Sequence, residues 1–284
     1  MTRRSYKFGR DISRVLGTIE NLGLASAFGL YARAYSKLTL NPVYEVAVPG
    51  LISPIKIRRN STDINVFMQI FVMGEYDLVN FKQSDAVFER YKNLTARGIR
   101  PLIVDCGANC GMATLWFRRV FPLAQIVAIE PSTENYPALV RNTEHDEDIK
   151  CIQAAVWSHK TKVVLDNPSD NAWSFRFSEN GAEPAHTSAH MADTVTISEI
   201  LDREDGNDRI LLVKIDIEGG ESQLFSDNTD WLNNTPLVII ETHDAMQPKA
   251  MTSRNFFTKI VNYEFELCFH GENAFVFIGR PRTT

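Results

Sequence analysis

The segment Asp105-Cys106-Gly107-Ala108-Asn109-Cys110-Gly111 sets an acid and two glycines directly behind the apolar run PLIVDC. Glycines in the turn after a strand let main-chain amides come close to a ligand, and an acid there repels a diphosphate but suits an ammonium or sulfonium. A dinucleotide fingerprint would need a glycine where Asn109 stands. Glu130 closes the next apolar run, QIVAIE, and is followed by Pro131 and Ser132. An acid at the end of a second strand can accept both hydrogen bonds of a ribose diol. The two acids together read as a site for an adenosine compound with a positive tail, such as S-adenosylmethionine.

Two later segments add charge. LLVKIDIEGGE carries Lys214, Asp216, Glu218 and Glu221, and IIETH carries Glu241 and His243. Burying such groups costs several kcal/mol each unless they meet partners, a ligand or water, so a cleft rim is expected, with Asp216, Glu218, Glu241 and His243 facing one pocket. Transfer of a methyl group from a sulfonium requires alignment of the acceptor and removal of its proton. Asp216 or His243 is the candidate base, against structural readings in which Asp216 only holds cofactor or acceptor and His243 is a satisfied core histidine. An oxygen-rich ligand set would favour Mg²⁺ or Mn²⁺ over zinc, although no metal follows from the sequence. His186 and His190 form a weaker pair in a turn-rich stretch. Cys106 and Cys110 read as small buried fillers, and Trp157 and Trp173 as ring-stacking or core residues.

These residues need a frame that collects strand ends. From Arg100 short apolar runs alternate with helical stretches near Met112–Val120 and 135–142, and further runs follow at Ile210–Ile215 and 237–240. Runs apolar on both faces and separated by helices specify a doubly wound, mostly parallel α/β sheet. Two closing runs, 263–269 and 274–278, joined by Gly271-Glu272-Asn273, predict an antiparallel end. Residues 162–196 read as an inserted hairpin. Residues 1–59 read as a helical leader plus an extended segment, and 60–284 as the main domain. The basic flank of the leader (Arg3, Arg4, Lys7, Arg10, Arg14) could touch an anionic membrane surface, but covering the main domain or a contact between two copies is the commoner use of such a helix.

The chain has 284 residues, 44% hydrophobic and 23% charged, and a net charge of −5. That balance suits a globular protein and argues against a nucleic-acid partner. Four cysteines are too few for a disulfide framework, and the sequence shows neither a bilayer-spanning run nor the apolar stretch of a signal peptide. A reducing, cytoplasmic setting is expected.

The chain resembles the FkbM-type methyltransferases in four blocks: TDINVFMQIFVMGEY, VDCGANCGMATLWFRRVFPLAQIVAIEPSTENY, LLVKIDIEGGESQLF and VIIETH. The resemblance implies a class I methyltransferase fold with a seven-stranded Rossmann-like sheet, S-adenosylmethionine as donor, and O-methylation of sugar, glycolipid or polyketide-like hydroxyls. It assigns Asp105, Gly107, Asn109 and Gly111 to the cofactor loop, Glu130 to the ribose, and Asp216 and Glu218 to the acids after the fourth strand; Ala108, Pro131 and Ser132, beside these residues, are further cofactor-binding candidates. Glu75 and Tyr76 match the motif before the first strand, which would close over the cofactor. The alternatives are a nicotinamide-dependent oxidoreductase on the same fold and a binding protein with a relic cofactor site.

Overall fold

The computed structural model describes residues 42–166, 176–179, 190–244, 249 and 251–282. The expected leader helices, His186 and Trp173 lie outside them. The described chain opens with an antiparallel pair, β1 (Val43–Val46) and β2 (Ile55–Arg58). A helical segment follows, α1 (Asp63–Phe67) running into a π-helical turn (Met68–Val72), and then α2 (Ser84–Ala96). The alternating unit expected next is present as β3 (Leu102–Cys106), α3 (Met112–Val120), β4 (Gln125–Ile129), α4 (Tyr136–Thr143) and β5 (Ile149–Ile152). After β6 (Ala155–Val156), β7 (Lys162–Asp166), β8 (Arg176–Glu179) and β9 (His190–Val195) come α5 (Ile197–Arg203), β10 (Ile210–Ile215), α6 (Glu221–Leu224), β11 (Leu237–Glu241), α7 (Arg254–Ile260), β12 (Tyr263–His270) and β13 (Asn273–Pro281).

Seven strands form one sheet in the order β12-β13-β11-β10-β3-β4-β5. From β11 to β5 every pairing is parallel, and β13 and β12 close one edge in antiparallel fashion. This order, with its reversed C-terminal hairpin, is the class I methyltransferase topology. Side chains alternate between two cores, as the pleat requires. Ile103, Ile126, Leu212, Ile239 and Phe275 pack with α3 and the β1–β2 pair, while Val104, Val127, Val213, Val238 and Val276 pack with α5 and α7. The inserted segment is more than a hairpin: β7 pairs with both β8 and β9, and β9 pairs in parallel with β6. Trp157 is buried there with Val163 and Leu165, so core packing is its role.

The β1–β2 pair is bound to the main domain rather than held apart from it. Lys56 donates its backbone N–H to Asn142 Oδ1 at 2.8 Å, and Arg58 reaches Glu134 O at 2.8 Å. The chain leaves β3 toward β4 and returns through β10 on its other side, so the sheet order reverses between β3 and β10. In doubly wound sheets that reversal opens a crevice beyond the carboxyl ends of the strands.

Candidate active site

β3 delivers Asp105 and the glycine loop to this crevice. Asn109 and Gly111 both take left-handed backbone angles, φ 51° and 91°. Gly107, at φ 80°, lies so close to the next strand that an added Cβ would sit 1.8 Å from the Asp216 carbonyl oxygen. That glycine is required by the packing of one loop on another. Gly107 and Asn109 line the crevice, but the amides of the loop bond within the protein. Gly107 and Ala108 both donate to Ile129 O at 2.9 Å, Gly111 donates to Ala108 O at 2.8 Å, and Asn109 donates to Glu130 Oε2 at 2.8 Å. These amides are already spent, which leaves them no part in cradling a phosphate.

Asp105 departs from its expected place. It is fully buried, with Oδ2 accepting from Thr114 Oγ1 at 2.6 Å and Oδ1 3.3 Å from Lys214 Nζ. Lys214, expected at a rim, is likewise buried. It donates to Gly107 O at 2.7 Å and stands 3.5 Å from Asp216 Oδ2. Burial disfavours its charge, but Asp105, Tyr76 and Asp216 overcome this and hold the ammonium well above the usual lysine range. The carboxylate of Asp105 is therefore matched from within the protein, beneath the loop.

Glu130 lies at the end of β4, nearly buried. Oε1 accepts from Ser132 N–H at 2.9 Å and Oε2 from Asn109 N–H, which leaves one lone pair on each oxygen for a ligand. Burial dominates its titration and, against these two hydrogen bonds, pushes the carboxyl up to about 7. Ser132 turns its hydroxyl to the Glu134 and Asn135 amides, both at 3.2 Å, at the entry to α4. Pro131 lines the same cleft as Glu130.

That cleft, walled on its far side by Ala154, Ala155 and Val156, meets a larger cavity of ≈ 270 Å³. Gly107, Asn109, Asp216 and Glu218 line both. The larger chamber adds Glu75, Tyr76, Gln69, Ile70 and Glu272, which the β12–β13 turn contributes. Gln69 and Ile70 sit in the π-helical turn, a form often found at functional sites. Glu75 is buried; Asn273 Nδ2 donates to its Oε1 at 3.0 Å. Burial raises its pKa, with Gln69 opposing and Asp216 reinforcing the shift. Tyr76 packs on Phe117 with ring centroids 5.5 Å apart.

The four expected acceptor-side residues are brought together. His243 Nε2 stands 3.5 Å from Glu218 Oε2, 3.5 Å from Glu241 Oε1 and 3.8 Å from Asp216 Oδ1. Its Nδ1 is 2.8 Å from Glu221 Oε1, and both side chains are buried. Burial opposes charge on the imidazole, but the hydrogen bond and charge of Glu221, with Asp216 and Glu218 behind it, push it up to about 10. Burial and the charge of Asp216 push Glu218 and Glu241 up to about 8. Glu218 also has a left-handed backbone, φ 52°, which in a non-glycine residue is a strain that surrounding structure must impose. Cys106 and Cys110 are buried fillers whose thiols burial pushes upward.

Lys214, Glu221, Asn273 and the Ala154–Val156 wall were not assigned to the site from the sequence. Only the charges within LLVKIDIEGGE hinted at the first two.

A seven-stranded sheet with this order and an acid-lined crevice at its reversal defines a class I, S-adenosylmethionine-dependent methyltransferase. The chain belongs to the methyltransferase FkbM domain family, whose model matches residues 105–267, more than half of its length. It is similar to "Methyltransferase sdnD" of Sordaria araneosa, 24% identical over 196 residues that cover 58% of this chain and 70% of that one. It is also similar to "Methyltransferase 1" of Beauveria bassiana (strain ARSEF 2860), 25% identical over 251 residues, 81% and 84% of the two chains. Among solved structures, monomeric WbdD aligns with a TM-score of 0.37 at 14% identity, over 69% of this chain and 41% of that one. Among the described residues no helix is long and apolar enough to cross a membrane.

Proposed function

We propose that the chain methylates a hydroxyl of a neutral, polyhydroxylated small molecule, a saccharide in the first instance, with the donor in the cleft beside Glu130 and the acceptor in the larger chamber. The observation that carries this reading is the junction: Asp216 and Glu218 line both chambers, so a group held in one faces a group held in the other across two carboxylates.

The donor cleft fits the cofactor on two counts. Asn109 Oδ1 is buried without a hydrogen-bond partner at the junction, and each Glu130 oxygen keeps a free lone pair toward the cleft. Glu130 would take the ribose diol, Ala154–Val156 the base, and Asn109 with Asp216 the cationic tail. When bound, S-adenosylmethionine supplies a methyl carbon on a sulfonium. The spent amides of Gly107, Ala108, Asn109 and Gly111 weigh against a nicotinamide dinucleotide, whose diphosphate needs free donors there.

On the acceptor side, Glu75, Asp216, Glu218, Glu241 and Glu272 outnumber Lys214 and His243, and the Lys214 charge is already matched by Asp105. A phosphate would set acceptor oxygens against acceptor oxygens, and like charge against like wherever these acids are ionised, whereas sugar hydroxyls donate well to carboxyl oxygens. His243 lines the chamber but is only 3% exposed, with Glu221 on one side and three carboxylates on the other, which makes it a poorer base than the more open Glu218. Glu218, strained and shared by both chambers, is the group that takes the hydroxyl proton as the oxygen attacks, with Asp216 orienting that hydroxyl. Alignment of this kind can supply roughly 7–11 kcal/mol of the barrier. The free cysteines agree with a cytoplasmic setting.

The test is methyl uptake from labelled S-adenosylmethionine by a panel of free sugars, glycosides and polyols, set against sugar phosphates and nucleotide sugars. Transfer to neutral members with loss on Glu218→Gln supports the reading; transfer only to phosphorylated members defeats it.

A further inference from the structure

Glu221 is buried behind His243, and three carboxylate oxygens surround the other imidazole nitrogen without hydrogen-bonding to it. Glu221 is fully buried and can only accept, so the ring proton at Nδ1 is donated to it. That bond fixes the ring and turns Nε2 toward Asp216, Glu218 and Glu241. At 3.5–3.8 Å these oxygens are too far for good hydrogen bonds, so Nε2 of this side chain, only 3% exposed and on the chamber lining, faces the cluster without a hydrogen-bond partner among the described residues.

The spacing suits a different occupant. Ligand atoms of Asp216, Glu241 and His243 all lie within 4.8 Å of one another. Around a cation with bonds near 2.0–2.2 Å, ligand atoms stand about 3–4 Å apart. A histidine that ligates a metal donates its other nitrogen to a carboxylate, which is the arrangement of Glu221 and His243. Two carboxylates and a neutral imidazole also balance a double positive charge. Two carboxylates beside one imidazole are compatible with Mn²⁺, whereas Mg²⁺ is a weaker match because it favours oxygen throughout.

We propose that Asp216, Glu241 and His243 bind one divalent cation of the Mn²⁺ class, with Glu221 as the outer carboxylate that orients His243. Resting on the acceptor assignment above, the cation would draw the acceptor hydroxyl oxygen to it and ease loss of its proton to Glu218, the carboxylate left free.

The experiment is titration of the chelator-treated full chain with Mn²⁺, followed by electron paramagnetic resonance and calorimetry without other ligands. About one ion per chain is expected, weakened tenfold or more by Glu241→Gln and by His243→Gln and unchanged by Glu130→Gln. Because His243→Gln removes a buried group and can fail to fold, the rise in melting temperature caused by Mn²⁺ is compared between the wild type and Glu241→Gln, whose side chain is partly exposed. Absence of Mn²⁺ binding at millimolar concentration, or equal binding by Glu241→Gln, overturns the site. S-adenosylhomocysteine titrated into the same samples separates the readings: Mn²⁺ bound without it removes the donor assignment and leaves the cation site, and the reverse removes the cation site alone.

Discussion

Lys214 and Asp105 stand opposite one another in register on β10 and β3, and their charged atoms meet at 3.3 Å beneath the glycine loop. The two strands at which the sheet order reverses are thereby tied by an ion pair closed to solvent, and the lysine also holds the Gly107 carbonyl. Removing one member of such a pair leaves a buried charge alone. Lys214→Met is expected to cost about 3–5 kcal/mol of stability, and Lys214→Met with Asp105→Asn to recover much of that loss, as read from urea unfolding. The folded-state pKa of Lys214 is raised, so the stabilisation is complete below the ordinary lysine value and is lost only as pH climbs through the higher one. Its contribution should be flat from pH 6 to 9.

Glu130 predicts a pH dependence for the donor. Its carboxyl is pushed up to about 7 in the free protein, mainly by burial, so near pH 6 most molecules carry the proton and one acceptor oxygen is lost. A ribose diol binds the ionised form. Affinity for S-adenosylhomocysteine should therefore rise between pH 6 and 8 and then level off. In the free protein the sign is opposite for stability: a carboxyl whose pKa is raised on folding binds more protons folded than unfolded, so stability declines as pH rises from about 4.5 toward 7. Glu130→Gln should abolish the affinity slope and weaken binding tenfold or more, about 1.4 kcal/mol per factor of ten, because its amide cannot accept from Asn109 and Ser132 together. Calorimetry across pH decides it.

Two glycines separate strain from collision. Gly107 and Gly98 both have positive φ, 80° and 72°, but an alanine Cβ at Gly98 meets nothing within 4 Å, while at Gly107 it strikes the Asp216 carbonyl. Gly98→Ala should cost only the left-handed penalty, about 1–2 kcal/mol. Gly107→Ala must displace either the cofactor loop or the end of β10, and is expected to abolish S-adenosylhomocysteine binding in whatever protein folds. Thermal unfolding and calorimetry on both variants test the contrast.

The contrast also marks where sequence reasoning stops. Strands β3, β4, β10 and β11 are legible because parallel strands covered on both faces must be apolar throughout, and their ends collect Asp216, Glu218, Glu241 and His243 at one edge. The glycine loop is legible as a turn, yet the reason for Gly107 is the Asp216 carbonyl just past the end of β10, more than a hundred residues away. Lys214 reads as a rim charge until the register of β10 on β3 places it opposite Asp105, a long-range fact with no local trace. Helix α2 buries only Ser84, Val87 and Leu94, too thin a stripe to stand out. Helix α5 does carry a local signal: Thr196 caps it, accepting from Glu199 N–H at 3.1 Å in a T-x-x-E pattern.

Asn273 links the C-terminal hairpin to the acceptor chamber. It is fully buried at the start of β13, in register with Glu241, and its Nδ2 supplies the hydrogen bond to Glu75 Oε1. Glu75, expected to close over the cofactor, is held instead against this hairpin, whose turn also brings Glu272 into the chamber. In Asn273→Ala, Glu75 loses a buried donor, at a cost of about 1–3 kcal/mol in stability. Because Asn273 touches the acceptor wall and not the Glu130 cleft, the variant should raise KM for the methyl acceptor several-fold and leave S-adenosylhomocysteine affinity within twofold of wild type. Equal loss of both would mean that the hairpin supports the whole crevice, and the division into donor and acceptor chambers would have to be redrawn.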